Sequence, residues 1–141
     1  MELVRRWLKA PPMTPTQIES AVAEFFDADA DYYPIRRWPE ARPCHGRGEI
    51  TEFYIGFKAA WSRFEYAIRQ PIAVGDDRVL VCGSLNAEGQ DSGVTVEADL
   101  YYCMWLRHGR FFRVEDHSTL GGALHALGLE GETLEAAGLE P

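Results

Sequence analysis

An α+β fold, with one curved sheet wrapped around helices to make a cone, is predicted by three observations. Apolar periodicity of the helical kind is confined to the first half of the chain, strand-like alternation fills the second, and helices and strands are thus segregated. The 141 residues make one domain, 1–141, with an N-terminal helix within 1–13 and a C-terminal helical tail over 121–141. With 46% hydrophobic residues it can bury a core without disulfides or structural metal.

Leu3, Val4, Trp7 and Leu8 stripe a short first helix that Pro11-Pro12 ends, because proline cannot continue the backbone ladder. Thr14, Pro15, Thr16 and Gln17 form a helix entrance: a hydroxyl cap, proline at the first position, and a glutamine placed to close a capping box. Ile18, Ala21, Val22, Phe25 and Phe26 are its buried face. Asp27, Asp29 and Asp31 lead into Tyr32-Tyr33-Pro34, read as a short edge strand. Residues 35–44 hold two prolines and three arginines and read as a loop, the best candidate for a mobile lid. Ile50, Phe53, Tyr54, Phe57, Trp61 and Phe64 then recur at spacings of three and four, the pattern of a long buried helix.

Strands follow. Tyr66–Val74 and Arg78–Leu85 flank the turn Gly75-Asp76-Asp77, and Ala87–Gly93 reads as a second turn. From Val94 to Leu106, Val94, Val96, Ala98, Leu100, Tyr102, Met104 and Leu106 face one side, opposite Thr95, Glu97, Asp99, Tyr101, Cys103 and Trp105. His108-Gly109 turns the chain into a last strand, Arg110–Leu120. Two Ala/Leu/Gly segments, closed by Gly128 and Gly138, complete the tail.

A net charge of −8 disfavours nucleic acid and anionic membrane surfaces as partners, since an acidic protein repels both. No apolar run approaches a membrane span, and Met1–Met13 lacks the features of a signal peptide, so a cytoplasmic location is expected. Cys44, Cys82 and Cys103 have no zinc-like spacing and read as small hydrophobes. His45, His108, His117 and His125 have no metal-ligand spacing, so neither metal nor cofactor is expected. Gly46-Arg47-Gly48 is too little for a dinucleotide fingerprint.

Asp116 is the residue most able to carry chemistry. Phe112, Val114, Asp116 and Ser118 share one strand face, opposite Phe111, Arg113, Glu115 and His117. If the first face is the inner one, Asp116 stands among apolar side chains, where desolvation raises a carboxyl pKa toward the range of a general acid or base. The alternative is a structural carboxylate bonded to a buried Tyr, Trp or Arg. Tyr102, inward between Leu100 and Met104, and Tyr33 are the candidate hydroxyl partners. Trp7, Phe57, Trp61, Leu100, Met104, Phe112, Val114 and Ser118 are the expected cavity lining. On the other side, Tyr101, Cys103 and Trp105 form an apolar stripe that a second copy of the chain could cover in a homodimer.

Cys44-His45-Gly46-Arg47-Gly48-Glu49-Ile50-Thr51-Glu52-Phe53-Tyr54 resembles the loop-to-helix segment of nuclear transport factor two-like proteins, and Met104-Trp105-Leu106-Arg107-His108-Gly109-Arg110-Phe111 resembles their final hairpin. The resemblance spans nearly the whole chain. It implies a cone of three helices against a curved, mixed, mainly antiparallel sheet, in a superfamily of ketosteroid isomerases, limonene-epoxide hydrolases, SnoaL-like polyketide cyclases and non-enzymatic binders. At the positions matching the isomerase tyrosine and two aspartates stand Trp7, Tyr102 and Tyr33, so that mechanism is not implied. No Arg or Asp stands in Val81–Leu85, where the epoxide hydrolases need them. The cyclases place one acid/base aspartate on the last strand, and Asp116 matches it. What the resemblance implies is a SnoaL-like enzyme of cyclase or isomerase type on an apolar, carbonyl-containing small molecule. A non-catalytic binder of a hydrophobic metabolite is the alternative, and a dimerisation module with a filled cone a third.

Overall fold

The computed structural model describes residues 2–9, 14–35 and 41–139. The expected stop at Pro11-Pro12 and the centre of the expected lid, 36–40, lie outside them. Helix α1 (Glu2–Lys9) and helix α2 (Pro15–Phe25) lead into β1 (Phe26–Tyr33) and the two-residue β2 (Cys44–His45). After α3 (Gly46–Ala59) come β3 (Trp61–Ile68), β4 (Ile72–Val74), β5 (Arg78–Gly89), β6 (Thr95–Arg107), β7 (Arg110–His117) and α4 (Leu120–Ala126). The strands form one mixed sheet in the order β2-β1-β7-β6-β5-β3, with β4 also on β5. Among the described residues only β1 and β7 pair in parallel; the other pairs are antiparallel.

Several elements form for the local reasons read from the sequence. The capping box closes as expected: the Gln17 backbone N–H donates to Thr14 Oγ1 at 3.1 Å, and the Thr14 N–H donates to Gln17 Oε1 at 3.0 Å. His108 and Gly109 both have positive φ, 53° and 73°, as a two-residue hairpin between right-twisted strands requires. Arg47 ties the start of α3 to the sheet, donating from Nε and Nη2 to the Phe26 carbonyl at 2.9 and 2.8 Å.

Other boundaries differ from expectation. The long helix stops at Ala59, so Trp61 and Phe64 lie on β3, which pairs with β5 from Trp61↔Gly89 to Ile68↔Gly83. Aromatic residues suit a pleated surface, and long-range pairing overrode a spacing that a helix would also have satisfied. Strand β5 runs to Gly89, through the expected second turn. Strand β1 is interior, between β2 and β7, rather than an edge.

Two layers of apolar packing sandwich the sheet. On the concave side Val4, Trp7, Ile18, Val22, Phe25 and Ile50 from α1–α3 meet Phe26, Tyr32, Val81, Met104, Phe111 and Val114. On the convex side Ala123, Leu124 and Leu127 cover Ile72, Leu80, Cys82 and Cys103. Within the stripe of Tyr101, Cys103 and Trp105 the C-terminal segment covers Cys103, which is 0% exposed with its Sγ 3.4 Å from the Ala123 carbonyl, while Tyr101 and Trp105 stay half-buried beside it.

Candidate functional site

Position on the strands decides which side chains meet. Across the β6–β7 ladder Tyr102 is directly opposite Asp116 and Met104 opposite Val114. A register shift then pairs Trp105 with Arg113 but Leu106 with Phe111, leaving Phe112 as the extra residue of a bulge. This corrects the simple alternation read along the strand. Phe111 is the inward residue, 0% exposed against Trp7, while Phe112 sits beneath the Arg107 guanidinium at 4.9 Å. Strict period-two reasoning fails there because one strand carries one residue more than its partner. Beyond the bulge the parity is restored, and Asp116 points inward with Val114.

Among the described residues the Asp116 carboxyl has one hydrogen-bond partner, a neutral one. Tyr32 on β1 donates its hydroxyl to Asp116 Oδ2, whereas Oδ1 is buried and has no hydrogen-bond partner in the structure. Burial pushes the Asp116 pKa up to about 8, with the Tyr32 donation pulling weakly the other way. At neutral pH the group is therefore mainly a protonated acid with a titration within reach. Although the residue as a whole keeps some exposed surface, its unbonded oxygen is sealed from water.

Tyrosines surround this acid. Tyr32 is 4% exposed, stacks on Tyr54 of α3 with ring centroids 5.3 Å apart, and meets Phe53 edge-on at 5.3 Å. Burial, then the Asp116 charge, raises the Tyr32 and Tyr54 hydroxyls well above the usual phenol range. Tyr66 on β3 stacks on Tyr102 at 5.7 Å, and its buried hydroxyl also has no partner. These hydroxyls stay neutral and can donate.

The expected site residues divide. Leu100, Met104 and Val114 are buried on the concave side, Tyr102 is half-buried there, and Trp7 lies in the core between Phe25, Phe26, Tyr54 and Phe111. Phe57 and Trp61 pack together at 6.0 Å beside Leu85, Ala87 and Leu100. Ser118 is exposed beyond the end of β7. Tyr33 is on the opposite face from Asp116, with the Arg113 guanidinium 4.6 Å from its ring centre. Its neighbour Tyr32 occupies the place expected of it. The alternation Asp27-Ala28-Asp29-Ala30-Asp31-Tyr32 carried that signal, since it puts Tyr32 on the less polar face. Tyr66 had no comparable signal while the preceding residues read as helix.

Asp116 does not line the open groove of about 620 Å³ that runs over β3, β5 and β6. Glu65, Asn86 and Glu97 form one row of that groove and Ala67, Ser84 and Asp99 another, on the convex side. Its lining is as polar as it is apolar and it lies open to solvent, unlike the enclosed, mostly apolar pocket of a small-molecule site, so the buried carboxyl is the better candidate. Among the described residues no three His, Cys, Asp or Glu side chains gather to hold a metal ion. None of the helices described is long and apolar enough to cross a membrane.

No protein-family model and no curated protein matches the chain. Solved structures do match across most of its length. A protein from Catenulispora acidiphila with a ketosteroid isomerase-like fold, in complex with trimethylamine, is 18% identical over 92% of this chain and 94% of that one, with a TM-score of 0.69. A nuclear transport factor two-like protein of unknown function from Burkholderia pseudomallei is 15% identical over 90% and 95%, TM-score 0.70. A protein from Jannaschia sp. CCS1 described as a SnoaL-like polyketide cyclase is 15% identical over 92% of each, TM-score 0.67. With element order, mixed curved sheet and concave-side helices all in agreement, the chain has the nuclear transport factor two-like fold.

Proposed function

We propose that the chain is an acid/base enzyme of cyclase or isomerase type, acting on an apolar, carbonyl-containing small molecule, with Asp116 as the proton-transferring group. The observation that carries this reading is the Asp116 carboxyl itself: inward, without a cation among the described residues, one oxygen held by Tyr32 and the other buried and unbonded. A structural carboxylate would be expected to have its charge matched. Here the hydrogen bond at Oδ2 leaves Oδ1 as the transferring atom. The C–H proton next to the carbonyl passes to Oδ1, the electron pair moves onto the carbonyl oxygen as an enolate, and Oδ1 returns the proton to carbon or oxygen. No redox partner enters this balance. Fold neighbours described as polyketide cyclases and as isomerase-like support the reading by architecture. Its three free, buried thiols suit the reducing cytoplasm.

The test needs no natural substrate. In D₂O, α-proton exchange of 2-tetralone is followed by proton NMR with the wild type and Asp116→Asn. General-base catalysis predicts faster exchange with the wild type and at least a ~100-fold loss in the variant. The rate should rise with pH through about 8, because the abstracting form is the carboxylate. Equal rates in the two proteins would reject proton transfer and leave the fold with a binding role.

A further inference from the structure

The two edges of the sheet are unlike. One is β2, two residues long; the other is β3, eight residues long, and among the described residues no strand lies on its outer side. A short edge strand offers little for another chain to pair with, whereas a long one without proline or lysine is open to it. Among the described residues three large hydrophobic side chains are exposed, and two of them stand on this strand: Phe64, 38%, and Ile68, 36%.

Hydrogen bonding to β5 fixes which backbone groups of β3 are available. The Arg69 N–H donates to the Cys82 carbonyl at 2.9 Å. Bonding direction alternates along a strand, so Arg63, Glu65 and Ala67 also turn their backbone groups to β5, while Phe64, Tyr66 and Ile68 turn theirs outward. A shift of register between Trp61 and Arg63 breaks the alternation, which leaves 63–68 as the regular edge.

A second copy pairing antiparallel must match outward groups with outward groups, so a two-fold axis passes through a residue. Through Arg63 or Glu65 it sets like charges against each other, through Phe64 it brings Tyr66 against the irregular Ser62, and through Ala67 only 66–68 overlap. An axis through Tyr66 avoids all of these. It lays Phe64 of each copy opposite Ile68 of the other, with about six backbone hydrogen bonds between the strands. On the convex face Glu65 then stands opposite Ala67 of the second copy and diagonal to its Arg69, an opposite charge. Arg63 is held back over β5, by Asn86 at 2.9 Å and Glu88 at 3.9 Å.

We propose that the chain forms a two-fold dimer through β3, with Tyr66 on the axis and each exposed Phe64 covered by Ile68 of the second copy. The two sheets run on as one, and growth stops there because the remaining edge, β2, is two residues long. The contact is distinct from one through the convex stripe of Tyr101, Cys103 and Trp105, since Phe64 packs on Phe57 of α3, on the concave side.

Sedimentation velocity of the full chain from ~10 to ~500 µM should show a monomer–dimer equilibrium, as expected of a small interface. Ile68→Lys changes an exposed position, and each dimer contains it twice; association should weaken at least about tenfold with the melting temperature unchanged. Glu65→Cys combined with Ala67→Cys sets thiols directly opposite across the axis, in the closer kind of cross-strand pair. Mild oxidation should then give a disulfide-linked dimer on a non-reducing gel, with less than about a tenth as much from either single variant; the three native thiols are buried. A wild type that stays monomeric throughout the concentration range would overturn the proposal. So would a dimer that Ile68→Lys leaves intact, which puts the contact elsewhere, or one that Glu65→Cys alone traps as well as the double variant, which sets a different register.

Discussion

Glu115 and Asp116 are adjacent on β7 and lead opposite lives. Glu115 faces the convex side, where Arg113 Nε lies 2.6 Å from its Oε2 and His117 Nε2 lies 3.0 Å from its Oε1. Asp116 faces the concave side and, among the described residues, has only a phenol. The same chemical group is thus a salt-bridge partner on one face and a protonatable acid on the other. The surroundings of each face follow the same division. The convex layer beneath α4 is mostly aliphatic and closed, while the concave wall near Asp116 is rich in tyrosine and keeps two polar atoms without partners. One face is built for stability and the other holds a group whose burial works against it.

The largest effect that would test this contrast is on the convex side. Leu124 is 0% exposed, so Leu124→Ala should cost about 2–5 kcal/mol in urea unfolding. It should leave the Asp116 titration where it was, because the two packing layers lie on opposite faces of the sheet.

Next comes a stabilising change. Asp116 has its pKa raised on folding, from 3.8 to about 8, so folding favours its protonated form. Stability from this group is complete below pH 4, falls as pH rises between those values, and is lowest above about 8. Asp116→Asn should then match the wild type near pH 4 and exceed it by about 1–3 kcal/mol at pH 9, read from melting curves across pH. A variant less stable than the wild type at pH 9 would mean the carboxylate is structurally paired.

Tyr32→Phe acts on the same group more gently. Removing the donor to Oδ2 takes away the one interaction that lowers the Asp116 pKa, so carboxyl NMR should find it higher by about one unit. Smallest of all is Glu115→Gln. Its partner Arg113 is well exposed, and a surface pair of this kind contributes below about 1 kcal/mol and weakens in salt. A loss well above about 1 kcal/mol that salt does not weaken would make Glu115 a buried charge like Asp116 and remove the distinction between the two faces.

How far the site could be read in advance depended on the length scale of the signal. The capping box at Thr14, the His108-Gly109 turn and the inward parity of Leu100, Tyr102 and Met104 are settled by neighbours a few residues apart, and they appear as expected. Asp116 was legible for the same reason, since Val114 reports its face. Trp61 and Phe64 were not, because their spacing satisfies a helix and a strand alike and only β5 decides between them. Phe112 was misplaced by a bulge that exists in the pairing of two strands, and Tyr33 by a one-residue choice between faces of β1.

Local patterning along the chain, then, was enough for the fold class, the inward carboxyl on the last strand, and the acidic balance that disfavours polyanionic partners. Tertiary structure alone set the Tyr32 hydroxyl on Asp116, brought Tyr66 across Gly83 to Tyr102, and folded the C-terminal segment over Cys103. The physical reason is common to all three. Periodicity says which side of its own element a side chain takes, but its partner is set by pairing register and by the space left on distant strands.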